Sequence, residues 1–174
     1  MKIAFTGSHG TGKTTLAKKL SEDLNLDLIT NISRNYYKSN NIENFEILTK
    51  DERWIHQKNL FNLEILEESK YSNFVTDRSI IDFLAYTVLY SRSSLIDMGK
   101  LMESAKKITF GYDYLFYLPI EFNYQSEIGR ASKETQVEVD DSIKFLIDNF
   151  KLPHFVVKGT LEERLNFIKK VINK

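Results

Sequence analysis

The sequence predicts an α/β domain with a mostly parallel sheet. Five short apolar, β-prone runs stand at residues 3–6, 26–30, 73–76, 114–118 and 155–158. They are continuous rather than alternating, as expected of strands covered on both faces. Helix-patterned stretches separate them, and strands that alternate with helices favour parallel pairing. A glycine-rich segment joins the first run to the first helical pattern. In such sheets ligands bind outside the carboxyl ends of the strands, where that segment falls.

After the first run, Leu16, Leu20 and Leu24 recur on one helical face. The second run leads into a long amphipathic region, about 43–70, with Trp54, Phe61 and Ile65 spaced among charges. The third run ends at Thr76, and Ser79 with Asp82 then forms a capping-box-like start for a helix over 80–90. A polar stretch, 121–136, follows the fourth run and precedes a helix that ends near Phe150. After the fifth run, Thr160 and Glu163 repeat the capping signal, and Leu161, Leu165 and Ile168 form an apolar stripe.

The 174 residues suit one domain, 1–174, with enough chain to bury a core. Hydrophobic residues at 42% and charged residues at 28% are ordinary for a soluble globular protein. Lys plus Arg equals Asp plus Glu, 24 each, so a dedicated nucleic-acid binder, which needs basic excess, is disfavoured. Without cysteine, disulfide frameworks and thiolate metal sites are excluded. No apolar run has the length of a membrane span, and the first ten residues do not read as a signal peptide, so the expected location is cytoplasmic. The sequence carries no signal for oligomeric state.

Residues Gly7, Ser8, His9, Gly10, Thr11, Gly12, Lys13 and Thr14 match the phosphate-loop pattern G-x-x-x-x-G-K-[ST] in its strand–loop–helix setting. Glycines let the backbone wrap phosphate oxygens with its N–H groups inward, and the helix that begins near Lys13 adds its positive end. Lys13 is expected on the β- and γ-phosphates of ATP, and the Thr14 hydroxyl on Mg2+. His9 reads as a spacer within the loop.

The second motif is Asp77-Arg78-Ser79 at the end of the third run. Asp77 is placed to hold Mg2+ or to orient an acceptor hydroxyl, and Arg78 to neutralise phosphoryl charge. Ser79 reads as a helix cap. Asp82 divides evenly between completing that cap and contacting the acceptor.

Across most of its length the chain resembles the P-loop kinases related to thymidylate and deoxynucleoside kinases. Within them it resembles the small AAA-type ATPase/kinase family that includes NadR-like nicotinamide riboside kinase domains. The matching residues are the loop 7–15, Asp77-Arg78-Ser79 with Asp82 and Tyr86, Tyr117-Leu118-Pro119, Gly129-Arg130, and Gly159-Thr160 with Arg164. The resemblance implies a three-layer P-loop NTPase fold, with a five-stranded parallel sheet in the order 2-3-1-4-5 and helices on both faces. It adds Thr15 to the ATP contacts and sets Gly159 and Thr160 beside the adenine, although Thr160 is equally well a cap. It implies an arginine-bearing lid at about 121–136, with Arg130 as the catalytic cation and Lys133 in reserve, against the alternative of a plain surface loop. Arg34 matches an arginine of relatives that suits an acceptor, or is simply a surface residue. Gln57 suits hydrogen bonding to a base, or belongs to the helix core. Relatives often carry a glutamate after the second strand as general base, but here that segment holds Asn31, which takes no proton at neutral pH.

The expected activity is transfer of the ATP γ-phosphate to a nucleoside or nucleotide. The alternatives are a kinase acting on a nucleic-acid polymer, at a 5′ end or modified base, and a nucleotide-binding regulator with slow ATPase activity. Arg78 occupies the position after Asp77 where a dedicated ATPase would carry a glutamate, which disfavours the last.

Overall fold

The structure is a computed structural model that describes residues 1–90, 95–122, 124 and 132–173. Five strands form one sheet: β1 (Lys2–Thr6), β2 (Asp27–Ile29), β3 (Phe74–Thr76), β4 (Tyr114–Tyr117) and β5 (Phe155–Val156). Their order is β2-β3-β1-β4-β5, and every pairing is parallel. Ile3 registers with Val75 on one side and with Tyr114 on the other. The order expected from the resemblance is the order found.

At the edges the expected cover on both faces is not found, since Asp27 of β2 and Phe155 and Val156 of β5 are exposed. The apolar runs of the central strands β1, β3 and β4 have a simple cause. Side chains alternate across a strand, and here each face has its own core. Ala4, Leu115 and Tyr117 join the core beneath α3 (Lys50–Ser69), α4 (Ile80–Tyr90) and α6 (Lys133–Phe150). Ile3, Phe5, Phe116 and Leu118 join the opposite core under α1 (Lys13–Leu24) and α7 (Leu161–Ile172). Helix α4 is the most apolar, and Ile80, Ile81, Phe83, Leu84 and Ala85 are all buried because it packs between α3 and α6.

Capping sets several helix starts. The Thr160 hydroxyl accepts from Glu163 N, and the Glu163 carboxylate accepts from Thr160 N and Oγ1. Thr49 and Glu52 build the same box at α3, a signal inside the predicted 43–70 region. That region divides into a 3-10 turn at Phe45–Ile47 and α3. Two helices lack a predicted counterpart, α2 (Ile32–Ser39) and α5 (Leu95–Thr109). In α2 Ile32, Tyr36 and Tyr37 pack against the core, but eight residues are too few for the helical period to stand out in the sequence. Among the described residues no helix is long and apolar enough to cross a membrane.

Because all strands run the same way, their carboxyl ends share one rim. That rim carries loop 7–12, Asn31, Asp77-Arg78 and the 157–160 turn.

Candidate active site

The phosphate loop is held by its own carbonyls. Lys13 is 6% exposed and its ammonium donates to Gly7 O (2.6 Å) and Ser8 O (2.7 Å). The Gln136 amide donates to His9 O (2.6 Å), and Arg164 Nη1 donates to Thr11 O (2.7 Å). Gly7, at φ 148°, passes so close to Leu118 that a Cβ would stand 2.4 Å from its carbonyl oxygen. Gly12, at φ 88°, turns the chain into α1 in the left-handed region that side chains disfavour. Burial, eased mainly by the Asp82 carboxylate, brings the Lys13 pKa down to about 8. An arriving polyphosphate would supply the counter-charge that Lys13 lacks.

Asp82 is 0% exposed beneath this loop. One oxygen accepts from Gly7 N (3.2 Å) and stands 3.9 Å from the Lys13 ammonium, and the other accepts from Ser79 N and Oγ. Burial raises its pKa, against the pull of Lys13 and Arg78. Of the two readings of Asp82, the contacts in the folded chain are those of the cap. Its carboxylate has no face open to a ligand, and it caps α4 while anchoring the loop.

Thr14 and Asp77 meet at the rim. The Thr14 and Thr30 hydroxyls both donate to Asp77 Oδ2, at 2.7 and 2.6 Å. Arg78 lies over the Tyr86 ring at 5.6 Å. Burial works against its charge, but Tyr86, Asp82 and Asp77 outweigh that and raise its pKa. The His9 ring contacts the Tyr86 hydroxyl through Nδ1 (3.1 Å), so the loop spacer touches the acceptor-side helix.

These groups open into one cavity of about 1210 Å3, larger than the roughly 300–1,000 Å3 usual for one small ligand. Residues 9–15 line it together with Asn31, Arg34, Tyr37, Phe45, Gln57, Asp77, Arg78 and Tyr90. Gln57 is 2% exposed and donates through Nε2 to the Tyr37 hydroxyl (3.2 Å). Burial pushes the Tyr37 pKa upward, so its hydroxyl keeps its proton. Asn31 sits at φ 62° at the start of α2, a left-handed position that asparagine tolerates better than most side chains.

Gly159 and Thr160 do not line this cavity. Gly159 joins the site through Arg164, which bonds its carbonyl, and the Thr160 hydroxyl is engaged in the α7 cap. Lys133 is the first residue of α6. Arg130 lies outside the described residues, as do 123, 125–129 and 131 of the expected lid.

The sequence reading passed over Thr30, Tyr37, Glu64 and Gln136. A signal existed for Glu64. Gln57, Leu60, Phe61, Glu64 and Glu68 form the buried stripe of α3, so polar residues occupy positions where the period calls for apolar ones. Glu64 is 1% exposed and accepts from the Thr76 hydroxyl (3.1 Å), and Glu68 accepts from the Tyr112 hydroxyl (2.5 Å). Burial, then the charge of Glu68, raises Glu64 well above its ordinary value, and burial raises Glu68 to about 7 against Tyr112 and Lys2.

Both carboxyls thus hold protons in the folded state that the unfolded chain releases near 4.5. The Glu68 contribution to stability is intact below that value and is lost as pH rises through about 7, and the Glu64 contribution has the same sign. Urea unfolding at about pH 5.5 and 8.5 should show the wild type losing about 1–3 kcal/mol more than the Glu64→Gln, Glu68→Gln double variant. Equal losses would mean that the pair does not titrate in this window.

Comparison with known proteins agrees with this fold. The AAA domain family profile matches residues 2–164. A deoxyadenosine kinase from M. mycoides, solved with dCMP and dCDP, superposes with a TM-score of 0.72 at 16% identity and covers 99% of both chains. A NadR protein in complex with NR superposes at 0.69 with 21% identity, over 98% of this chain and 50% of that one, so this chain spans half its length. Shikimate kinase from Aquifex aeolicus gives 0.56 at 16% identity, over 99% and 96%. No curated protein matches the sequence. The chain has the P-loop kinase fold of these structures, and by its near full-length profile match it belongs to the AAA domain family.

Proposed function

We propose that this protein is an ATP-dependent phosphotransferase that moves the γ-phosphate to a nucleoside or nucleotide. The observation that carries this reading is one cavity lined by a phosphate loop, by Asp77 and Arg78, and by a glutamine and aromatic rings. The acceptor hydroxyl attacks the γ-phosphorus as the bond to the β-bridging oxygen breaks. Its proton passes to Asp77 or to water, and the departing ADP keeps the electron pair. Asp77 orients the hydroxyl, Arg78 and Lys13 stabilise the spreading charge, and the loop amides hold the phosphates. Thr14 and Asp77 offer the hard oxygens that suit Mg2+, which commonly takes one or two carboxylates plus phosphates and water. That ion would neutralise charge on the β- and γ-phosphates. Gln57, through Nε2 and its carbonyl, and the protonated Tyr37 hydroxyl suit the hydrogen-bonding edge of a base. Tyr90 and Phe45 suit its faces. Similar folds hold dCMP with dCDP, or NR, in solved structures.

The test is transfer of labelled γ-phosphate to a panel of nucleosides, nucleotides and short oligonucleotides. Transfer to a nucleoside or nucleotide is expected. Labelling of oligonucleotides alone, or ATP hydrolysis alone, would overturn the reading. Gln57→Leu should raise the acceptor KM about tenfold or more, by loss of a buried hydrogen bond, with the ATP KM unchanged. An acceptor KM that stays at the wild-type value would remove Gln57 from the acceptor site.

A further inference from the structure

Arg164 is a buried arginine on α7, 3% exposed, outside the lining of the cavity. Its guanidinium makes three directed contacts. Nε donates to Gly159 O (2.8 Å), Nη1 to Thr11 O (2.7 Å), and Nη2 to the Glu121 carboxylate (2.8 Å). The same Glu121 oxygen accepts from Gly159 N (3.0 Å). The Phe122 ring lies 5.0 Å from the guanidinium. One side chain thus joins three segments distant in sequence: the phosphate loop, the chain after β4 and the turn after β5. Lysine could not do this, because it lacks the planar fork that meets three acceptors at once.

The contact to Thr11 has a chemical consequence. Thr11 C=O and Gly12 N–H belong to one peptide unit, which is planar and trans. In a trans unit the carbonyl and the N–H point in opposite directions. Holding Thr11 O toward α7 therefore turns Gly12 N–H away from α7, toward the cavity wall that Gly12 lines. Gln136 treats the unit two positions earlier alike, since it holds His9 O and so sets Gly10 N–H. Gly12 alone would not hold that orientation, because glycine is the residue with most freedom to rotate.

We propose that Arg164 is a positioning residue for nucleotide binding. It fixes the Gly12 amide as a phosphate donor by gripping Thr11 O, and it ties that amide to the Gly159 turn and Glu121. The assignment rests on the phosphotransfer reading of the same loop. It predicts that removal of Arg164 weakens binding of the polyphosphate itself, not only of the adenine.

Binding is measured by calorimetry with ATP and with inorganic tripolyphosphate, which has no base. The wild type should bind both. Arg164→Ala should weaken both by about tenfold or more, the scale of a lost hydrogen bond to a charged group, and Arg164→Lys should not restore them. In glycine-labelled protein, where seven glycines keep the spectrum simple, the Gly12 amide resonance should shift with tripolyphosphate in the wild type. It should respond far less in Arg164→Lys, the variant that retains charge beside Glu121 if alanine proves unstable. A lower Tm with unchanged tripolyphosphate affinity and an unchanged Gly12 response would overturn the proposal and leave the phosphotransfer reading standing. Loss of ATP affinity alone would also overturn it, by placing Arg164 with the adenine. A wild type that binds neither ligand would remove the phosphotransfer reading and this one with it.

Discussion

Lys13→Ala is expected to lower phosphoryl transfer by on the order of 10²–10³-fold or more, with the fold retained. The ammonium is the one cation inside the phosphate loop, buried and held by two loop carbonyls with Asp82 at 3.9 Å. Burial has already lowered its pKa to about 8, so its charge is under-compensated until phosphates arrive. The substitution has a second effect on the loop. Gly7 O and Ser8 O lose a donor, and Asp82 loses the nearest of the cations that hold its pKa down. Asp82 can respond by binding a proton, so the stability cost should stay at about 1–3 kcal/mol. Single-turnover transfer of labelled γ-phosphate, with circular dichroism and a melting curve, checks both halves. Lys13→Met, which keeps the stem, separates charge from packing and should be as inactive as alanine. Turnover within a few-fold of wild type in either variant would remove the loop from the reaction.

Asp77→Asn is expected to lower kcat by on the order of 10²–10⁴-fold, while ATP affinity changes by only a few-fold. The structure makes this a clean substitution. Asp77 Oδ2 accepts from the Thr14 and Thr30 hydroxyls, and both can rotate to suit an amide. The Asp77 backbone stays bonded to Ile29 O. What disappears is the negative charge of Asp77 in the cavity that the phosphate loop also lines. An interaction made mainly in the transition state shows as lost kcat with little change in binding. Comparable losses in kcat and in ATP affinity would confine Asp77 to holding the metal. The result matters because Asn31 leaves the rim without the glutamate that relatives use after the second strand.

Much of the candidate site was legible in the sequence, because the phosphate loop and the Asp77-Arg78 pair are each contiguous in the chain. Thr160 and Glu163 announced their cap for the same reason, since both partners lie within four residues. Asp82 shows where such local reading stops. Its bond to Ser79 was visible as a cap signal, but the one to Gly7 spans 75 positions and decided its role. Helix α2 was missed because its eight residues are too few for the period of its Ile32, Tyr36 and Tyr37 face to stand out, although it supplies Arg34 and Tyr37 to the cavity.

By itself, then, the sequence determined the strands, the phosphate loop and the acidic–basic pair at the rim. Strands buried on both faces must be apolar throughout, and a loop that wraps phosphate must be rich in glycine. Only the tertiary structure decided which side chains support that loop. Gln136 and Arg164 reach it across 127 and 153 positions. Contacts of that range depend on how helices pack across the sheet, and no local pattern records them.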